Sequence, residues 1–197
     1  MIADCTAIIL AGGDSQRMGS DKASLLLDGR SLLQSVTATM QQMFPEVVVS
    51  VRRHRPEIEL PQVCDDPSYA GPLAGLVAGL GYITTAWAFA VACDMPFVVP
   101  EVIELLAHRR AGRQAVVPVV QGYPQPLAAF YACDCMEVIR AHLDSGGKNS
   151  LQAVLERLDV CYVDEAEMLA ADPGLRSFFD LDTPQDVAHA KREMRIR

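Results

Sequence analysis

The run Leu10-Ala11-Gly12-Gly13-Asp14-Ser15-Gln16-Arg17-Met18-Gly19-Ser20-Asp21-Lys22 holds the residue types that handle phosphate. Gly12 and Gly13 can adopt backbone angles closed to other residues and bring bare N–H groups against a ligand. Arg17 and Lys22 add the positive charge that a polyphosphate requires. The run is a phosphate loop in the general sense, yet its spacing matches neither G-x-x-x-x-G-K-[ST] nor G-x-G-x-x-G. On the glycines alone, a strand-to-helix turn with surface charges is the competing reading.

Asp94 is the second group with chemistry to offer. It follows the apolar run Trp87-Ala88-Phe89-Ala90-Val91-Ala92 and precedes Met95-Pro96, a sharp exit. A carboxylate where a central strand ends projects into the crevice in which α/β sheets bind ligands. Its hard oxygens suit Mg²⁺, which takes one or two carboxylates plus phosphate oxygens. A helix-capping aspartate is the alternative. Arg52, Arg53, His54 and Arg55 follow the apolar run Val47–Val51 and would face the same crevice, either touching a phosphate or forming a solvated turn.

These groups need strands to carry them and helices to cover the strands. Ala7-Ile8-Ile9-Leu10 reads as a buried strand, and Ser31 caps a helix through about Phe44, with Leu32, Leu33, Val36, Met40 and Met43 on one face. Met40 and Met43 are core positions in this pattern. Val47–Val51 is a strand, and Gly71 to Leu80 is a helix with Leu73, Leu76, Val77 and Leu80 at 3-4-3 spacing. Trp87–Ala92 is a strand and Pro100 to about Arg110 a helix, with Arg109 and Arg110 at its favourable dipole end. Strands over Gln114–Val120 and Pro126–Ala132 follow, then helices over Cys135–Asp144 and Asn149–Leu158 and a strand over Val160–Val163. Phe178 and Phe179 belong to a last extended piece, and Thr183-Pro184 opens a terminal helix. Strands alternating with helices predict an α/β fold with a mostly parallel sheet and helices on both faces.

Composition narrows the function classes. With 197 residues, 50% hydrophobic and 21% charged, the chain has a core sufficient for one domain over 1–197. A net charge of −8 argues against a general nucleic-acid or anionic-membrane surface, so a phosphate site must be locally basic. Leu73 to Cys93 carries no charged residue, but its apolar period changes midway and its nearest flanking charges, Asp66 and Asp94, are acidic. That pattern predicts a buried helix and strand rather than a membrane span. The amino terminus has no basic region before its apolar run, so a cytoplasmic protein is expected. Six cysteines without a Cys-x-x-Cys pair read as small hydrophobes in a reducing compartment rather than disulfides or a structural metal site.

The string L-A-G-G-x-S-x-R-M-G-x-D-K is followed in order by Gly71-Pro72-Leu73-Ala74-Gly75, Cys93-Asp94-Met95-Pro96, Pro126-Leu127 and Asp182-Thr183-Pro184. Together these blocks resemble the Rossmann-like nucleotidyltransferases that activate small phosphates. More closely, they resemble the molybdenum cofactor guanylyltransferases, over essentially the full chain. The resemblance implies a single-domain, Rossmann-like α/β fold. It implies transfer of GMP from GTP to the terminal phosphate of molybdopterin, or its molybdenum-bearing form, with release of pyrophosphate. The competing readings are a cytidylyl or sugar-phosphate transferase of the same fold and a non-catalytic nucleotide-binding protein that delivers the cofactor.

The same resemblance assigns roles. Leu10, Ala11, Gly12, Gly13 and Lys22 would bind the nucleotide, with Gly71, Pro72 and Leu73 completing the pocket. Arg17, Lys22 and Asp94 would be catalytic, with Asp94 as the Mg²⁺ ligand. Asp182 would be a second ligand, although the family usually has Asn there. Asp65 or Asp66 would read the base, with Asp66 preferred by counting back from Gly71. Ser50 stands near where many relatives place Asn beside the base, and Gln125 stands where His is usual on the pterin side. Gly12 stands where the cytidylyl relatives tend to have Ala. Implied partners are GTP and molybdopterin, with molybdoenzymes or cofactor-insertion proteins downstream, and neither nucleic acid nor membrane.

Overall fold

The computed structural model describes residues 1–12, 23, 25–69, 71–146, 150–181, 185–188 and 190. Within them, β1 (Cys5–Leu10) is an inner strand of the main sheet. It pairs in parallel with β4 (Glu46–Val51) and with β6 (Trp87–Ala92). Beyond β4 lies the parallel edge strand β5 (Gln62–Cys64). On the other side, β9 (Ala128–Ala132) runs antiparallel to both β6 and β7 (Ala115–Val120), and β10 (Val160–Val163) closes the sheet parallel to β7. The order is β10-β7-β9-β6-β1-β4-β5, with β8 (Tyr123–Pro124) folded back on β7. Gln121 and Gly122 turn that hairpin, both at positive φ (52° and 78°), as a two-residue turn of this hand requires. Between β1 and β4, β2 (Leu26–Leu27) and β3 (Arg30–Ser31) form a separate short hairpin.

Residues alternate along β1. Cys5, Ala7 and Ile9 enter one core layer, and Ile8 and Leu10 enter the other. The first layer lies under α1 (Leu32–Met43), α3 (Pro100–Ala107) and α6 (Glu165–Ala171). It is centred on Phe89, whose ring lies 5.5 Å from Phe44 and 4.8 Å from Phe130. The second lies under α2 (Pro72–Tyr82), α4 (Cys135–Asp144) and α5 (Leu151–Leu155). A strand covered on both faces reads as a continuous apolar run, which is why β1 and β6 are legible without alternation. The sheet is thus mostly parallel and flanked by helices on both faces. Ser31 caps α1 with a complete capping box: Gln34 N–H donates to its Oγ (3.1 Å), and its own N–H donates to Gln34 Oε1 (2.9 Å). Met40 and Met43 are buried, as their helical spacing predicts. Leu73–Cys93 divides into α2 and β6, and among the described residues no helix is long and apolar enough to cross a membrane.

Three local expectations change. Phe178 is not extended. Leu175 is left-handed (φ 48°), and Arg176–Phe178 form a 3₁₀ turn. Asp172 Oδ2 accepts the Ser177 N–H (2.7 Å), and Ser177 Oγ accepts the Val99 N–H (3.2 Å). Such side-chain bonds curl a backbone that its sequence alone would leave extended. The helix from Pro100 ends at Ala107, short of Arg109 and Arg110. Arg110 instead pairs with Asp4 (3.0 Å) and lies over the rings of Trp87 and Phe130. α6 goes unpredicted, although Asp164 caps it by accepting the Glu167 N–H (2.9 Å). The start of the terminal helix at Thr183-Pro184 lies outside the described residues.

Two glycines let α2 approach the sheet. A Cβ at Gly75 would stand 2.6 Å from Ser50 Oγ and 2.9 Å from Leu10 Cδ2. One at Gly79 would stand 2.6 and 2.7 Å from two carbons of Ile8, which is fully buried and β-branched. Gly79→Ala should therefore cost about 1–3 kcal/mol, despite the better helix propensity of Ala, because the core has no room to yield. Chemical denaturation checks this, with Gly81→Ala as control: its Cβ meets the Met136 methyl at 3.4 Å and the Arg140 guanidinium at 3.8 Å, the far ends of flexible side chains, and the substitution should be neutral or stabilising.

Candidate active site

At the carboxyl edge of the sheet, the ends of β1, β4, β5 and β6 converge. The Ala11 N–H donates to the Ser50 carbonyl (2.9 Å), carrying the β1–β4 pairing one residue beyond Leu10. The Asp65 N–H donates to the Val51 carbonyl (3.0 Å) and the Cys93 N–H to the Leu10 carbonyl (3.1 Å). Backbone bonds thus hold Leu10, Ala11, Ser50, Asp65 and the residue before Asp94 in one row. Gly71, Pro72 and Leu73 form the amino terminus of α2 above that row. Gly71 has a φ of 73°, a left-handed conformation that favours glycine, and Pro72 occupies the first helical position.

Asp65 is the focus of this edge. Ser50 Oγ donates to its Oδ1 at 2.6 Å. A Cβ on Gly12 would lie 2.6 Å from its Oδ2, so the carboxylate fills the space that a side chain at residue 12 would need. Burial raises the Asp65 carboxyl above its ordinary value, against the opposing pull of the Ser50 hydroxyl and the Arg52 charge. Asp66, its neighbour, turns away. Its Oδ1 accepts the Ser68 N–H (2.8 Å), and that bond, in an exposed turn, holds its carboxyl below the ordinary range. Of the two carboxylates before Gly71, Asp65 is the one that borders Gly12. Backbone pairing with Val51 puts Asp65 there.

The raised Asp65 carboxyl has a consequence for stability. A carboxyl that is harder to ionise in the folded state contributes full stability below its unfolded value and loses it as pH rises through the native one. Asp65→Asn keeps an acceptor for Ser50 without the charge, so its melting temperature should exceed wild type at pH 7. The gain should vanish in acid below the ordinary aspartate value. Equal melting temperatures at pH 7 would contradict the assignment.

Asp94 stands half-buried where β6 ends, as its sequence context predicts. Its carbonyl accepts the Leu181 N–H (3.0 Å), which ties the chain just ahead of Asp182 to this point. Gly13, Arg17, Lys22 and Asp182 themselves lie outside the described residues. Of the basic cluster, Arg55 pairs with Glu57 (2.8 Å), whereas Arg52 returns to Gly12, its Cγ 3.5 Å from a Cβ built there. Arg52 is the member of the cluster that the sequence leaves undistinguished.

On the far side of Asp94 a cavity of about 500 Å³ opens between the β7–β8 hairpin and the 3₁₀ turn. Phe97, Tyr123, Phe178 and Phe179 line it, with Gln125 and Arg176 as polar groups. Arg176 lies 4.8 Å over the Phe97 ring. Tyr123 is 68% exposed at the rim, more than a folding role explains. Aromatic walls with a few polar groups are what a planar ligand requires. In sheet order Asp94 thus stands between the Gly12, Ser50 and Asp65 group and the aromatic cavity.

A sequence model described as the MobA-like NTP transferase domain matches residues 7–180. The chain is 33% identical to a molybdenum cofactor guanylyltransferase of Desulfosudis oleivorans, over 94% of each chain. It is 31% identical to a probable molybdenum cofactor guanylyltransferase of Methanosarcina mazei, over 96% of this chain and 92% of that one. The crystal structure of molybdopterin-guanine dinucleotide biosynthesis protein A from Archaeoglobus fulgidus superposes with a TM-score of 0.85 at 28% identity, over 98% and 100% of the two chains. A cytidylyltransferase from Thermus thermophilus shares the fold, with a TM-score of 0.71 at 20% identity. The chain is accordingly a nucleotidyltransferase and belongs to the MobA-like NTP transferase family.

Proposed function

We propose that this chain transfers GMP from GTP to the terminal phosphate of molybdopterin, or its molybdenum-bearing form, and releases pyrophosphate. The observation that carries the reading is Asp65: a half-buried, acceptor-only carboxylate, oriented by Ser50 and set against a glycine. Guanine presents two adjacent donors, N1–H and the exocyclic amino group, and a carboxylate can accept both. The names of the relatives supply the acceptor, and the aromatic cavity beyond Asp94 is suited to its planar ring system.

In this reading the guanine lies at Asp65 below the amino terminus of α2, and the triphosphate runs along Gly12 and Gly13. Lys22 and Arg17 neutralise the triphosphate. An oxygen of the acceptor phosphate attacks the α-phosphorus, and the bond from that phosphorus to the bridging oxygen of the β-phosphate breaks as pyrophosphate leaves. A phosphate monoester has its second pKa near ~6 and is largely a dianion at neutral pH, so no general base is needed. What the protein supplies is alignment of two anions and cancellation of their repulsion.

The donor set also fits Mg²⁺. Asp94 offers hard oxygens at a strand end, and its carbonyl accepts the N–H of Leu181, the residue just before Asp182 in sequence. Asp94 and Asp182 would hold the ion, which when bound supplies charge neutralisation for the phosphates and the leaving pyrophosphate. Incubation with molybdopterin, Mg²⁺ and each of GTP, CTP and ATP tests the proposal. Pyrophosphate release and a guanine dinucleotide product by mass are expected with GTP. A cytidine dinucleotide in comparable yield would overturn the guanylyl reading, and no release with any nucleotide would overturn the catalytic one.

A further inference from the structure

The ends of three neighbouring strands meet at a residue without a side chain. Gly12 follows β1, Arg52 follows β4 and Asp65 follows β5. A Cβ on Gly12 would contact Asp65 Oδ2 at 2.6 Å and both the Cγ and the backbone nitrogen of Arg52 at 3.5 Å. The carboxylate and the arginine therefore border the same bare patch of backbone. Independently, the Arg52 charge is close enough to favour ionised Asp65. A carboxylate only accepts hydrogen bonds and a guanidinium only donates them.

A ligand edge that satisfies both must carry donors beside an acceptor. The guanine edge has that order, with the amino group and N1–H followed by O6. We propose that Arg52 is a specificity-determining residue that donates to guanine O6 while Asp65 accepts from N1–H and the amino group. This rests on the GTP reading given above. Arginine has a recurring affinity for guanine O6 that other bases do not match, so the pairing uses ordinary recognition chemistry. Of the other cations in this cluster, Arg55 pairs with Glu57.

The test isolates O6. In 6-thio-GTP sulfur replaces O6, a much weaker acceptor, while N1–H and the amino group remain. Wild type should use GTP about 10- to 100-fold better than 6-thio-GTP in kcat/KM, the range for one hydrogen bond to a charged group. Arg52→Ala should lose a similar factor with GTP, mainly in KM, and should then treat the two nucleotides alike. Arg52→Lys, which keeps the charge without the planar fork, should recover part of the discrimination. If wild type does not discriminate, or if Arg52→Ala weakens both nucleotides equally and keeps their ratio, Arg52 reads a phosphate or nothing, and the proposal is overturned. Preference of wild type for CTP would overturn the GTP reading itself, a separate and recognisable outcome. Melting temperatures of the variants confirm that each is folded when assayed.

Discussion

Asp94→Asn is expected to abolish turnover while leaving the fold intact. The substitution is isosteric, and the backbone bond that joins this position to Leu181 uses the carbonyl, which Asn keeps. What it removes is one unit of negative charge at the end of the central strand β6, where the phosphates of both substrates meet in the proposed reaction. Two polyanions do not approach one another without compensating positive charge, and an amide holds Mg²⁺ far less well than a carboxylate. Losing metal stabilisation of the transition state costs several kcal/mol, on the order of 10³ in rate. The measurement is pyrophosphate release by the purified variant across a Mg²⁺ titration, with circular dichroism and thermal melting as controls. Turnover within a few-fold of wild type at limiting Mg²⁺ would remove Asp94 from the mechanism.

The other large effect concerns the base. Selection for GTP over CTP and ATP should reach about 10⁴, because a site built on buried polar pairing leaves its own groups unsatisfied with the wrong partner. Adenine presents a lone pair at N1 to Asp65, and cytosine offers an amino group but no neighbouring ring N–H. Gly12 is the residue on which this selection depends. An alanine there would bring a methyl group to 2.6 Å from Asp65 Oδ2, so the carboxylate would have to swing away from its Ser50 donor. Gly12→Ala should therefore lower activity with GTP far more than with CTP, compressing their ratio by about 10²-fold or more if the polar reading of the base is lost. Competition between equal GTP and CTP, with dinucleotides separated by mass, measures the ratio directly. An unchanged ratio would show that Asp65 does not read the base.

Sequence alone carried the elements whose signals are local. The runs that became β1, β4 and β6 are buried on both faces and so read as predominantly apolar stretches without strict alternation. α1 and α2 were legible from helical spacing and from Ser31 and Pro72 at their starts. The α6 helix is equally local, with Asp164 and Glu167 at capping distance, but its single fully buried core residue, Met168, makes a weak apolar stripe. The 3₁₀ turn at Arg176–Phe178 had no comparable signal. It depends on Asp172, Ser177 and Val99, of which Val99 lies 78 residues from Ser177.

The candidate site divides in the same way. Which residues are chemically capable was determined by the sequence: glycines and cations in a loop, a carboxylate at a strand end, and a pair of carboxylates before Gly71. Whether Asp65 or Asp66 meets the loop was not, since adjacent residues at a strand end point to opposite sides and a count uncertain by one cannot choose between them. The pairing of Asp65 N–H with the Val51 carbonyl decided it. Arg52 likewise comes to border Gly12 because β4 lies beside β1, a placement that no local signal carries. The aromatic cavity draws Phe97, Tyr123 and Phe178 from segments far apart in the chain, so no spacing rule could assemble it. Chemical capability is a property of side chains and is written in order along the chain. Juxtaposition arises from the backbone bonds of the sheet, which join strands distant in sequence, and only the folded structure contains them.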